Sequence, residues 1–218
     1  MQSKINITPP PWKLRGEGYV LVYRFSKRYL QYRNILTEEE LEHFCGGFGA
    51  VMLFEYNSAP IGPYEEILFI PGRFKEKSGT GYRITRISVS TLISVFNGRE
   101  NWGIPKTHAQ FRFINERKGR ETVSVTSRGM SYFRAVFKPF GPYIPISGVF
   151  LFPTLLQDYL GRIFLTKLKA RGEVRFAKMS HLHIEPKLFP PIRDKKPLMV
   201  LKVTDFSLIF PEAEITEK

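Results

Sequence analysis

The apolar residues of this chain gather in short blocks rather than at helical spacing. Tyr19-Val20-Leu21-Val22-Tyr23-Arg24-Phe25 follows Gly18 and is built of aromatic and β-branched residues, which predicts a strand. Residues 50–56, 66–70 and 83–96 have the same character. Residues 109–115 and 121–127 flank Glu116-Arg117-Lys118-Gly119-Arg120, a hairpin with a glycine-containing loop. Further strands are predicted over 131–137, 172–183, 198–204 and 207–210. This succession, punctuated by 17 Gly and 16 Pro, predicts a mainly β fold whose antiparallel sheet closes into a barrel or folds as a sandwich.

Helices are few. Thr37-Glu38-Glu39-Glu40 has the form of a capping box, with acids at the positive end of the helix dipole; Gly46-Gly47 is expected to stop that helix early. Leu155, Tyr159, Leu160, Ile163, Phe164 and Leu168 fall near helical spacing, so a second helix is expected over 154–169. No repeat, heptad run or linker interrupts the chain, and residues 1–218 are read as one domain.

Composition narrows the class. At 218 residues, 43% hydrophobic and 24% charged, the chain can bury a sizeable core, and wholesale disorder is excluded. Lys and Arg number 33 against 20 acids, and the net charge of +13 draws anions. The lone Cys45 excludes a disulfide-stapled scaffold. The first residues lack the apolar stretch of a signal peptide. The longest uncharged run, 139–157, carries Pro139, Pro142, Pro145 and Pro153, which suits a buried loop or barrel-lining segment rather than a membrane helix. A cytoplasmic protein with no membrane partner is expected.

Most chemical signatures are missing. His181 and His183 share a strand face but have no third ligand at zinc spacing, and they read, like His43, as surface residues. Gly46-Gly47-Phe48-Gly49 is not a phosphate-binding glycine pattern, and a serine-hydrolase elbow is absent. The basic, aromatic stretch 23–33 could stack and clamp a single strand of nucleic acid. An edge strand and loop with solvated cations is the better reading, because Lys and Arg are spread over the whole chain. The segment Gly98-Arg99-Glu100-Asn101-Trp102-Gly103-Ile104-Pro105-Lys106-Thr107-His108 sets one lysine behind apolar groups. Desolvation of an ammonium favours the neutral amine, and a neutral amine attacks a carbonyl to form an imine. Taken alone this is one possibility among several.

The stretch from Gly98 to Lys106 resembles, without a gap, the signature around the Schiff-base lysine of the acetoacetate decarboxylase family. Gly62-Pro63-Tyr64-Glu65-Glu66 resembles the family's G-x-Y-x-E segment, and Trp12 with the strand ending Val22-Tyr23-Arg24 is similar to its N-terminal strand. The resemblance implies a cone-like, closed β-barrel with an apolar cavity, in a homo-oligomer. It implies Lys106 as the imine-forming lysine, Glu66 as a proton-handling glutamate and a small keto acid as substrate. Carbon dioxide would leave as the iminium withdraws electrons, with no metal, nucleotide or organic cofactor.

Three positions depart from the family. Thr107 stands where a second lysine is common, Val51 where a second glutamate is found, and Arg15 lies one place from an arginine near the substrate carboxylate. Aldolase or dehydratase chemistry at the same lysine, and a non-catalytic ligand-binding barrel, are the alternatives; a basic nucleic-acid binder stands further back. Arg99 and Glu100 are expected to form an ion pair that holds the turn, and Glu66 could equally pair with a strand arginine.

Overall fold

The run Tyr19–Tyr23 has no alternation because both of its faces are covered, the condition under which a strand reads as continuously apolar. It lies inside β1 (Trp12–Arg24), and the computed structural model, which describes residues 6–148 and 154–218, builds two sheets around it. The remaining strands, in chain order, are β2 (Phe44–Gly46), β3 (Phe48–Ser58), β4 (Tyr64–Ile70), β5 (Arg73–Glu76), β6 (Gly79–Tyr82), β7 (Arg86–Val89) and β8 (Thr107–His108). They continue with β9 (Gln110–Glu116), β10 (Arg120–Ser127), β11 (Met130–Gly148) and β12 (Thr154–Tyr159). The last four are β13 (Arg162–Lys167), β14 (Lys169–Ile184), β15 (Met199–Phe210) and β16 (Glu214–Glu217). Among the described residues the α-helices α1 (Lys27–Tyr32), α2 (Glu38–His43) and α3 (Leu92–Trp102) interrupt them, and a single 3-10 turn (Arg117–Gly119) joins β9 to β10.

The larger sheet runs β8-β7-β4-β3-β1-β15-β14-β11-β10-β9 and is antiparallel except for the short β7–β8 pair. Its two edge strands are joined by Ala109 alone, whose N–H reaches the Val89 carbonyl, so the sheet curls into a nearly closed barrel. Inward residues, among them Tyr19, Leu21, Val51, Leu53, Phe69 and Phe137, form the barrel core, with Tyr19 stacked on Phe137 at 4.0 Å. The alternate residues of the same strands, Val20, Val22, Met52, Phe54 and Leu68, form a second core. The smaller sheet, β16-β13-β12-β6-β5-β2, contributes Leu155 to that second core, and Trp102 and Ile104 add the end of α3 and the turn after it.

Several expectations change. Residues 83–96 are not one strand: β7 ends at Val89, Thr91 caps α3 by accepting from the Ser94 N–H, and the helix continues to Trp102. Its buried face is Ser94, Asn97, Gly98 and Trp102, so the hydrophobic period that marks a helix is missing, while Ile93 and Val95 favour a strand locally. The helix expected over 154–169 is the hairpin β12–β13, turning at Leu160 (φ 52°) and Gly161 (φ 75°). Its apolar residues are needed on both faces, and that gave them their helix-like spacing. Beyond Arg24 the chain forms α1, capped by Ser26, and β1 is central rather than an edge.

The strands expected over 198–204 and 207–210 are one strand, β15, which starts at Met199 and is bulged at Asp205 (φ 44°) opposite Glu17. The capping box of α2 is present, but the helix ends where Phe44 enters β2 to pack on Phe74. Within the proline-rich run, residues 139–148 finish β11 with Phe140, Tyr143 and Ile144 exposed, 154–157 begin the buried β12, and Pro153 lies outside the described residues. Among the described residues no helix is long and apolar enough to cross a membrane.

Candidate active site

β4 turns Tyr64, Glu66, Leu68 and Ile70 toward the second core and Ile67 and Phe69 toward the barrel core. Glu66 is therefore a carboxylate on an otherwise apolar face, 5% exposed. Lys106, 4% exposed, reaches it from the turn after α3: Nζ donates to Glu66 Oε2 at 2.9 Å and to Ser94 Oγ at 3.2 Å. The Tyr64 ring lies 5.1 Å from Nζ, and the Tyr56 hydroxyl donates to Glu66 Oε1 at 3.5 Å. Burial, reinforced by the Glu66 charge, pushes both tyrosine hydroxyls well above their ordinary value, so they stay protonated donors.

Several residues of the 98–106 segment have a local task. A Cβ on Gly98 would stand 2.5 Å from Lys106 Cδ, so the missing side chain is the groove in which the lysine stem lies. Arg99 donates through Nε at 3.0 Å and Nη2 at 2.6 Å to the Lys106 carbonyl. Arg99 thus holds the turn through the lysine backbone, not through the expected pair with Glu100, which is exposed. Gly103 ends α3 at φ 61°, a left-handed cap whose N–H bonds the Arg99 carbonyl. The Trp102 indole donates to the Pro211 carbonyl at 2.7 Å and meets Trp12 edge-on at 5.0 Å.

The pair opens into a cavity of about 80 Å³ between the sheets. Its walls include Trp12, Met52, Phe54, Leu68, Phe206 and Leu208. Among the described lining residues, Glu66 and Lys106 are the only ionisable groups besides the two tyrosines.

The structure thus brings two of the three sequence-predicted site residues together. Arg15 is elsewhere: it is exposed on the opposite face of β1 from Leu14, which lines the cavity. Val51 points into the barrel core while its neighbour Met52 lines the cavity, and Thr107 turns outward to Ser88 Oγ at 3.0 Å and the Ile87 carbonyl. Tyr56, Tyr64 and Ser94 were missed. Tyr64 sits two residues before Glu66, so strand periodicity already places it on the same face; Ser94 had no signal once α3 was read as strand. His181 and His183 are exposed, and among the described residues no group of His, Cys, Asp and Glu could hold a metal.

The model of the family described as acetoacetate decarboxylase matches residues 2–152. No curated protein matches the chain at a significant level. An acetoacetate decarboxylase from Legionella pneumophila superposes with a TM-score of 0.73 at 15% identity, over 99% of this chain and 92% of that one. An acetoacetate decarboxylase-like enzyme from Sphingomonas wittichii RW1 gives 0.70 at 12% identity over 100% and 97%. The enduracididine biosynthesis enzyme MppR, complexed with pyruvate, gives 0.61 at 13% identity over 96% and 91%. At such identities the superpositions speak for the fold.

Proposed function

The chain belongs to the acetoacetate decarboxylase family, and on that premise we propose that it is an enzyme in which Lys106 forms an imine with a keto acid and releases carbon dioxide. The observation that carries the reading is the buried Lys106–Glu66 contact of 2.9 Å at the end of an apolar cavity. Moving a proton from Nζ to the carboxylate along that bond leaves both groups neutral, the state an apolar surrounding tolerates best. The free amine adds to the substrate carbonyl, and the hydroxyl of the adduct leaves as water with a proton from solvent, giving the iminium. The bond to the carboxylate breaks, its electron pair flows to the iminium nitrogen as an enamine, and carbon dioxide departs. Glu66 returns the proton to the enamine carbon, and water releases the product from Lys106. The MppR structure, complexed with pyruvate, supports a keto acid as the kind of ligand this fold accepts.

A second reading is aldol addition with dehydration at the same imine. It is favoured by Glu66 being the one carboxylate among the described lining residues, since Val51 and Thr107 face away. An enamine left unprotonated attacks an aldehyde instead.

Borohydride trapping with a panel of α- and β-keto acids, read by intact mass and peptide mapping, tests both. A substrate-dependent adduct on Lys106 is expected, absent in Lys106→Ala and slowed by about 10²–10⁴-fold in Glu66→Gln. Carbon dioxide release from the trapped β-keto acid selects decarboxylation, and a condensation product with added aldehyde selects the second reading. No adduct with any keto acid across the pH range would leave a binding barrel.

A further inference from the structure

A second opening lies on the outside of the turn that carries Lys106. It is a groove of about 1020 Å³, lined from the β7–β8 seam by Ser88, Pro105 and Thr107. The tip of the β10–β11 hairpin and residues 187–189 line it as well. Arg128 (φ 50°) and Gly129 (φ 79°) make that tip, the left-handed pair a two-residue hairpin turn requires. The Glu185 N–H donates to the Tyr132 carbonyl at 2.8 Å, and the Glu185 carboxylate accepts the Lys187 N–H at 3.3 Å. Lys187 is thereby held beside the start of β11.

The charges and one buried donor of this groove are uncommitted. Among the described residues no carboxylate lines it, and Arg128 and Lys187 are exposed there without an ion-pair partner. Arg86 lines it too, but it donates to the Thr85 carbonyl and also borders a smaller groove with Glu39, Glu40 and Asp158. Tyr132 is 2% exposed, and its hydroxyl has no hydrogen-bond partner. Burial raises that hydroxyl to about 12, so at neutral pH it keeps its proton and has nothing to donate it to. The Ser88 hydroxyl is already engaged: Thr107 donates to the Ile87 carbonyl, so Ser88 donates to Thr107 at 3.0 Å. A buried donor without an acceptor destabilises a fold, and an acceptor brought by a ligand relieves it.

We propose that this groove binds a small organic phosphate monoester, with Arg128 and Lys187 supplying the charge and the Tyr132 hydroxyl the buried donor. Hydrogen bonds from a guanidinium or an ammonium to an oxyanion are the strong ones. A phosphate carries three acceptor oxygens directed apart, which suits donors held on separate elements better than a planar carboxylate does. The phosphate group alone would fill a small part of the groove. Met130 (54% exposed) and Leu188 (44% exposed) give the organic part of the ester an apolar wall. The ligand would join the hairpin tip and the 187–189 turn to Thr107, the residue that follows Lys106, and so brace the seam. The site does not depend on imine formation at Lys106, whose side chain lines the other cavity.

The test is titration calorimetry on the full chain with phenyl phosphate, inorganic phosphate, benzoate and phenol at one ionic strength, since salt screens the charges. Phenyl phosphate is expected to bind at least about tenfold tighter than each of the others. Tyr132→Phe removes an unpaired group, so without ligand it should melt no lower than wild type. With ligand it should bind phenyl phosphate about tenfold or more weakly. The double variant Arg128→Gln, Lys187→Gln should lose the binding, and Lys106→Ala should keep it. With phenyl phosphate at about 100 times its Kd, hydrogen exchange of residues 107–109 should slow by up to about 100-fold. Benzoate or inorganic phosphate binding as tightly as phenyl phosphate overturns the proposal. So does phenyl phosphate binding that survives both groove variants or is lost in Lys106→Ala. A melting temperature of unliganded Tyr132→Phe below wild type also overturns it, because the hydroxyl would then have a partner already.

Discussion

Gly98 and Lys106 are one device made of two residues. The glycine sits in a helix interior, where it costs up to about 1 kcal/mol relative to alanine, and its return is the path of the lysine stem. Gly98→Ala separates stability from chemistry. The added methyl meets the flexible Cδ and Cε, which give way, so the melting temperature is expected to stay within a few degrees of wild type. The Nζ is displaced from Glu66 and Ser94 as a result. A misplacement of about 1 Å costs about 10²-fold in rate, so trapping at Lys106 should fall by that order. A variant that traps at the wild-type rate would show that the stem does not need the groove. This segment was legible in the sequence because it resembles the family's signature without a gap over nine residues. Glu66 comes from 40 residues away, and only the resemblance connected it to the lysine.

At the scale of elements, α3 and the turn after it do the positioning. Gly103 meets two demands at once: φ is 61°, and a Cβ would stand 2.5 Å from the Phe164 ring of β13. Gly119 has a similar φ of 68° with nothing within 4 Å. Both alanine variants bear the left-handed penalty of about 1–2 kcal/mol, but only Gly103→Ala adds a clash with a buried ring, about 1–3 kcal/mol more. Denaturant unfolding should therefore rank Gly103→Ala clearly below Gly119→Ala, and equal losses would remove Phe164 from the account. The elements misread in the sequence, α3 and the β12–β13 hairpin, fail for opposite reasons. α3 buries small and polar side chains, so its period is silent; the hairpin buries both faces, so it imitates a period it does not have.

At the scale of the molecule, the barrel is closed by its shortest pairing. β8 meets β7 over two residues, and Ala109 adds one further bond to Val89, whereas β1 is paired along most of its length by β3 and β15. Local opening should start at that seam. Native-state hydrogen exchange is expected to be at least about tenfold faster for the amides of 107–109 than for Leu21 and Val22. Equal protection would mean that the barrel opens only as a whole. The seam also anchors the residue after Lys106, so loosening it loosens the site. By itself the sequence determined the strand-rich content, the capping box of α2 and the family the chain resembles. All of these depend on side-chain chemistry and backbone angles within a few residues. Only the tertiary structure decided that 92–102 is a helix, that Arg15 faces away, and that Glu66 and Lys106 meet in one apolar cavity. Those depend on strand register and on which core each face meets, and a one-residue slip in register exchanges the faces.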